Sequence, residues 1–161
     1  MNDLQAIADR AEIQALQAEF TDAAMMHDVD RLMSLYTTDA VYRIPEVDIE
    51  LVGWEAIRSG NEQLAENWEF FVQNTHPGSI QVDGDTATGR ALVFELGRQR
   101  DGRSVVNHAL FHDRYRRTPD GWRFSERVYE VRYFDTNPLT GSPEVAWDTD
   151  YQPGEESAPA R

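Results

Sequence analysis

The chain predicts an α+β domain, a cone-shaped barrel in which three N-terminal helices pack inside a strongly bent antiparallel sheet. Three observations predict it. Apolar residues recur at helical spacing from Leu4 to Trp68. Four strand-like runs then follow one another, split by Asp83-Gly84, Asp101-Gly102 and Asp120-Gly121, dipeptides that favour tight hairpins. Finally, 161 residues suit one domain with one substantial core. Helices gathered ahead of a meander bury their apolar stripes on one face of the sheet, and a sheet bent around them encloses a pocket.

The first helix is read from Leu4, Ile7, Ala8, Ala11, Ile13, Leu16, Phe20, Ala23, Ala24 and His27, which fall at three- and four-residue steps. Asp28 stands as N-cap of a short second helix whose Leu32, Met33, Leu35 and Tyr36 turn inward. His27 and Asp28 are therefore read as a helix end and a helix start. Neighbouring helical side chains diverge by ~100°, which disfavours a direct dyad between them. "AVYRIPEV" and "IELVG" read as short strands around Pro45, and "GWEAIRSGNEQLAENWEFF" as a third helix carrying Ile57, Leu64 and Trp68. The meander runs from Phe71 to Phe134. The domain is placed at residues 1–135, and 136–161 read as an acidic, Pro/Gly-rich tail whose Trp147 and Tyr151 hint at docking on a neighbouring subunit.

Composition narrows the partners. A formal net charge of −14 repels phosphate backbones and anionic lipid surfaces, so neither nucleic acid nor membrane is expected. The chain has no cysteine, and its first twenty residues lack the uninterrupted apolar run of a signal peptide, which together suit the cytoplasm. The strands "TATGRALVFEL" and "RSVVNHALFHDRY" are apolar on both faces, with Leu92 and Phe94 opposite Ala91 and Val93, and Phe111 opposite Leu110. Helices cover only one face. A homo-oligomer through the other is expected, a trimer first and a dimer second.

The segments "DRAEIQALQAEF", "DVDRLMSLYTTDAVY", "NTHPGSIQVDGDTATGRA" and "HDRYRRTPDGWRFSERVYEVRY" resemble the SnoaL-like branch of the ketosteroid-isomerase and nuclear-transport-factor superfamily, over about residues 3 to 135. The resemblance implies the cone fold and a small lyase without cofactor, of the kind of scytalone dehydratase, bile acid 7α-dehydratase or hexachlorocyclohexane dehydrochlorinase. The same cone hosts isomerases, cyclases, epoxide hydrolases and non-catalytic binding proteins, so the reaction must be argued from the site.

In those lyases a histidine on the first long strand acts as general base, supported by a carboxylate from the end of the first helix. His76, in "NTHPG", matches the histidine and enters the cone if Val72, Asn74 and His76 share the concave face. The carboxylate position falls on Met25, whose thioether cannot support an imidazolium. Phe20 likewise stands where bile acid 7α-dehydratase carries a tyrosine. His108 matches the second pocket histidine of scytalone dehydratase, and period two puts His108, Leu110 and His112 on one face, with Asn107, Ala109, Phe111 and Asp113 on the other. Glu95 matches an aspartate of bile acid 7α-dehydratase, among small strand mates Ala87, Gly89, Ala91 and Val93, and burial there raises a carboxyl's pKa. Arg127 and Tyr129 point one way on the last strand, where family members contact ligand polar atoms. Tyr42, Trp68 and Leu110 join Phe20 and Met25 as apolar contacts for a substrate.

No HExxH, CxxC, GxGxxG or P-loop is present, and His108 and His112 on a strand lie ~13 Å apart, too far for one ion. Neither metal nor cofactor is expected. The leading reading is a cofactor-independent lyase or isomerase acting on a small apolar, polycyclic or aromatic substrate. His76 removes a proton, and His108, Tyr129 or Arg127 stabilises the developing charge. The alternatives are a non-catalytic ligand-binding protein, favoured by Met25 and Phe20, and a cyclase or epoxide hydrolase arrangement that needs Glu95 as its acid.

Overall fold

The computed structural model describes residues 3–141. In chain order they form α1 (Asp3–Met25), α2 (Val29–Ser34), β1 (Tyr36–Ile44), a 3-10 turn (Pro45–Val47), β2 (Ile49–Val52), α3 (Trp54–Asn67), β3 (Trp68–Asp83), β4 (Thr86–Gln99), β5 (Ser104–Thr118) and β6 (Gly121–Asp135). Most of the expected tail, with Trp147 and Tyr151, lies outside the described residues. All six strands join one curled sheet in the order β2-β1-β6-β5-β4-β3. The sheet is mixed where an antiparallel one was expected, because β1 and β6 pair in parallel. The meander from β3 to β6 folds back so that its last strand meets β1, and that closing pair runs the same way.

The helix and turn signals act where the spacing puts them. Asp28 caps α2, its carboxylate accepting from the Arg31 backbone N–H at 3.0 Å. His27 sits between the helices with φ +54° and is exposed, so the His27-Asp28 pair is a helix boundary. At the hairpins, Gly84, Gly102 and Gly121 take φ of +59°, +90° and +98°, values that only glycine adopts cheaply.

Helix α1 buries Asp9, Ile13, Leu16, Gln17, Phe20 and Ala23 against the sheet, whereas Leu4 and Ile7 are exposed. Hydrophobic spacing passed over the two polar members of that stripe. Asp9 pairs with Arg117 at 2.8 Å and accepts from the Trp122 indole at 3.3 Å, and the Gln17 amide donates to the Tyr115 hydroxyl at 2.7 Å. Burial is tolerated because the Asp9 carboxylate and the Gln17 amide NH2 each meet a partner, although Gln17 Oε1 does not.

Two bulges decide which residues face inward. Opposite the step from Ala91 to Gly89 on β4, strand β3 runs from Pro77 to Ile80, one residue more. Opposite the step from Arg114 to Tyr115 on β5, β6 runs from Glu126 to Phe124, again one residue more. Each extra residue reverses the pleat parity. On β3 the inner residues are Gln73 and Thr75 before the bulge and Ile80 and Val82 after it. On β6 they are Trp122 and Phe124, then Arg127 and Tyr129.

The core closes around Arg127, which has no accessible surface. Its guanidinium lies 3.6 Å from the ring centroid of Phe111 and 4.1 Å from those of Phe20 and Phe124. Its Nε donates to Asp113 Oδ1 at 2.8 Å, and the Tyr115 hydroxyl donates to Asp113 Oδ2, also at 2.8 Å. Cutting one partner strands the other charge in the core. We therefore expect Arg127→Met to cost about 3–5 kcal/mol in urea unfolding, and the double change Arg127→Met with Asp113→Leu to cost less than the single one. A double change that costs the sum of the two singles would refute the pairing as the source of the loss.

Candidate active site

Four neighbouring strands place one polar cluster on the concave face. Gln73 on β3 stands in register with Glu95 on β4, and Glu95 with Asn107 on β5. The Gln73 amide donates to Glu95 Oε1 at 2.7 Å, and the Asn107 amide approaches Glu95 Oε2 at 3.5 Å. From β6, the Tyr129 hydroxyl donates to Glu95 Oε2 and accepts from the Asn107 amide. The carboxyl group thus has three donors around it and no cation in contact. Burial pushes the Glu95 pKa up, against the pull of those hydrogen bonds and of the more distant Arg127 charge. The Tyr129 phenol is also pushed up, by burial and by the neighbouring Glu95 charge, and so stays a neutral donor.

Glu95 and Gln73 lie at the inner end of a cavity of about 450 Å³. Phe20 and Ala24 of α1, Tyr42, Ile44, Ile49 and Leu51 of β1 and β2, and Phe71 and Phe111 of the meander give it apolar walls. Helix α3 closes one side through Gly60, Asn61, Gln63, Leu64 and Asn67, of which Gln63, Leu64 and Asn67 are exposed and mark the mouth. A groove of similar volume on the convex side, lined by Arg90, His112, Arg114 and Glu126, is open and polar. Apolar walls with a few convergent polar groups make the concave cavity the candidate ligand site. Among the described residues, no three histidine or carboxylate side chains are grouped as metal ligands would be.

The sequence-derived residues divide accordingly. Glu95, Tyr42 and Phe20 line the cavity, and Tyr129 stands behind Glu95, to which its hydroxyl donates. His76 is not among them. Gln73 and Thr75 are the inner residues of this stretch, so His76 falls on the convex face, exposed and opposite Leu92, which is 51% exposed. The expected phase, with Val72, Asn74 and His76 inside, is off by one residue. His108, Leu110 and His112 share one face as expected, but it is the convex one. His108 packs against Phe94 and Tyr133 with ring centroids at 4.8 and 6.1 Å, and His112 meets Glu130 at 2.6 Å. Leu110 pairs with Leu92 and Glu130, away from the cavity. Arg127 points inward but is sealed behind Phe20 and Phe111. Met25 lies next to Gln73, whose backbone N–H reaches its sulfur at 3.1 Å, instead of beside His76. Trp68 stacks on Phe71 and lines a small adjoining cleft.

Sequence reasoning missed Gln73 and Asn107. For Asn107 a signal existed, since it alternates with Ala109 and Phe111 on the face opposite His108. Gln73 was missed because the expected phase put its neighbours Val72 and Asn74 on the concave face.

Helices packed on one curled six-stranded sheet make this an α+β domain of the cone type. A SnoaL-like domain model matches residues 5–128, and the chain belongs to that family. It is 33% identical over 148 residues to the gamma-hexachlorocyclohexane dehydrochlorinase of Sphingobium indicum, covering 88% of this chain and 90% of that one. It is 31% identical over 129 residues to an uncharacterized protein of Mycobacterium tuberculosis, covering 76% and 84%. Among solved structures, the dehydrochlorinase LinA-type3 of Novosphingobium barchaimii superposes with a TM-score of 0.76 at 27% identity, covering 89% of this chain and 99% of that one. The relatives of this chain thus include lyases.

Because the Glu95 pKa is raised on folding, the native state holds that proton more tightly than the unfolded chain. Below the unfolded value of about 4.3 both states are protonated and nothing is lost. As pH rises above it, stability falls until the native carboxyl has ionised too. Glu95→Gln, which cannot ionise, is expected to match wild type near pH 4 and to melt at a higher temperature than wild type at pH 8. Calorimetry at the two pH values checks this, and a Tm difference independent of pH contradicts it.

Proposed function

We propose that the protein is a lyase or isomerase that moves a proton at carbon, with Glu95 as the base, on a small and largely apolar substrate. One observation carries the reading. A carboxyl group with a raised pKa stands at the inner end of an apolar cavity, held by Tyr129, Gln73 and Asn107. A base works best when its pKa lies near the working pH, and burial moves a carboxyl in that direction. In the lyase form, Glu95 takes a proton from one carbon, the C–H pair becomes the new double bond, and the leaving group departs from the adjacent carbon with its electrons. In the isomerase form, Glu95 returns the proton at a second carbon. Tyr129 and Asn107 hold the carboxylate in place through both.

The family's histidine role passes to Glu95 in this reading, because His76 faces away from the cavity and Met25 supplies no carboxylate. The test is a panel of halogenated and hydroxylated alicyclic compounds incubated in D2O, read by leaving-group release and by deuterium incorporation. We expect Glu95→Gln to lower turnover by about 10²–10⁴-fold and His76→Ala to stay within about twofold of wild type. Full activity in Glu95→Gln, or its loss in His76→Ala, overturns the assignment. Absence of turnover across the panel favours the non-catalytic binding protein instead.

The assembly proposed is a homotrimer, with a dimer second, built through the convex face. Leu92, Tyr133 and Phe134 are 51%, 54% and 56% exposed, and the Phe94–His108 pair adjoins them. Phe111, expected in that interface, is instead 1% exposed in the core. Light scattering of wild type and of the double variant Leu92→Glu with Tyr133→Glu checks the proposal. An oligomer that survives both changes, or a wild-type monomer at micromolar concentration, defeats it. We place the protein in the cytoplasm on the absence of cysteine, and its recovery from an exported or membrane fraction contradicts that.

A further inference from the structure

The cavity discriminates by charge and by hydrogen-bond polarity, and both follow from its walls. Among the described residues that line it there is no lysine, arginine or histidine. The cation nearest its floor, Arg127, is neutralised by Asp113 and lies against the rings of Phe20 and Phe111. The whole chain carries a formal net charge of −14. An anion entering such a site loses its hydration and meets no opposite charge.

Polar atoms at the inner end then set what an uncharged ligand must offer. Gln73 and Asn107, 6% and 7% exposed, turn their amide NH2 groups toward Glu95 and Tyr129. Their carbonyl oxygens, Gln73 Oε1 and Asn107 Oδ1, are buried without a partner. Unpaired buried acceptors are uncommon because they forgo a bond that water supplies in the unfolded chain. Glu95, ringed by three donors, keeps room for about one more on its four lone-pair sites. Of the two carbonyl acceptors without a donor, the one on Gln73 belongs to a residue that lines the cavity.

We infer that the cavity takes an uncharged, mostly apolar molecule carrying a hydroxyl at its inner end, which donates to Gln73 Oε1 beside Glu95. The inference rests on the reading that this cavity is the substrate site, and it does not require that Glu95 be a base. Acceptor-only groups, such as ethers and ketones, gain nothing from Gln73 Oε1, and carboxylates are excluded by charge.

Three probes of one shape test it: 4-ethylphenol, 4-ethylanisole and 4-ethylbenzoate, titrated by calorimetry into the full chain at pH 7, where the phenol is neutral and the benzoate anionic. We expect the phenol to bind roughly tenfold tighter than its methyl ether and the benzoate to bind weakest. In Gln73→Met, which keeps the volume and removes the carbonyl, the phenol-to-ether ratio should fall to within about twofold. An ether that binds as tightly as the phenol, a benzoate that binds tightest, a preference unchanged in Gln73→Met, or no binding of any probe at millimolar concentration each overturns the inference. The wild-type ranking decides by itself if Gln73→Met fails to fold. The expected ranking without turnover on the substrate panel leaves this inference standing and removes the proton-transfer reading. Turnover that depends on Glu95 with no phenol preference does the reverse.

Discussion

The Arg127–Asp113 pair is the constraint on which the rest of the molecule depends. It joins β5 to β6 at 2.8 Å, while Tyr115 carries the network to Gln17 of α1. Phe20, Phe111 and Phe124 cover the guanidinium, so the helix is seated on the sheet by an aromatic cage as well as by hydrogen bonds. A buried pair of this kind gains little net energy over apolar side chains of equal volume, but it penalises any register in which the charges part. Its consequence reaches the cavity. With Arg127 matched by Asp113, its attraction for Glu95 is too weak to offset burial, and the Glu95 pKa rises.

The same sheet geometry explains what was legible in the sequence. Helices at 3.6-residue spacing, hairpins at Asp-Gly and a cap at Asp28 are local properties that appear where expected, except that the second and third helices end early and Tyr36 and Trp68 open strands β1 and β3. Period two also sorted Asn107, Ala109 and Phe111 from His108 and Leu110 correctly, because no bulge interrupts β5 against β4 over that span. It failed at His76, because it put Val72 and Asn74 inside where Gln73 and Thr75 are the inner residues; the bulge between Pro77 and Ile80 then reverses the parity beyond it. Pro77 and Gly78 form part of that interruption. A Cβ at Gly78 would come within 2.8 Å of the Arg90 carbonyl oxygen, so the strands approach there more closely than a side chain permits.

Burial of polar side chains was legible only in part, for a related reason. Hydropathy assigns Asp9, Gln17 and Asp113 to the surface, yet all three are at most 3% exposed. Their partners Arg117, Tyr115 and Arg127 are about a hundred positions away, or on the next strand, and nothing in a local window announces them. Glu95 was legible because its strand mates are small. Ala87, Ala91 and Val93 bury on the same face in the core, and that face carries Glu95 to the cavity.

The loss of the expected dyad and the gain of the Glu95 cluster are two sides of one packing arrangement. Where the resemblance calls for a carboxylate, Met25 presents a sulfur to the Gln73 backbone N–H, and Thr21 meets Thr75 across the same seam. Met25 is only partly buried, and its sulfur engages the backbone of Gln73 and not its side chain. The Gln73 amide turns along the sheet and donates to Glu95 at 2.7 Å. The inner end of the cavity therefore carries one ionisable carboxyl group, held by neutral donors. One carboxyl among neutral amides exchanges a proton without a second charge to oppose it, and that is the arrangement a single-base proton transfer requires.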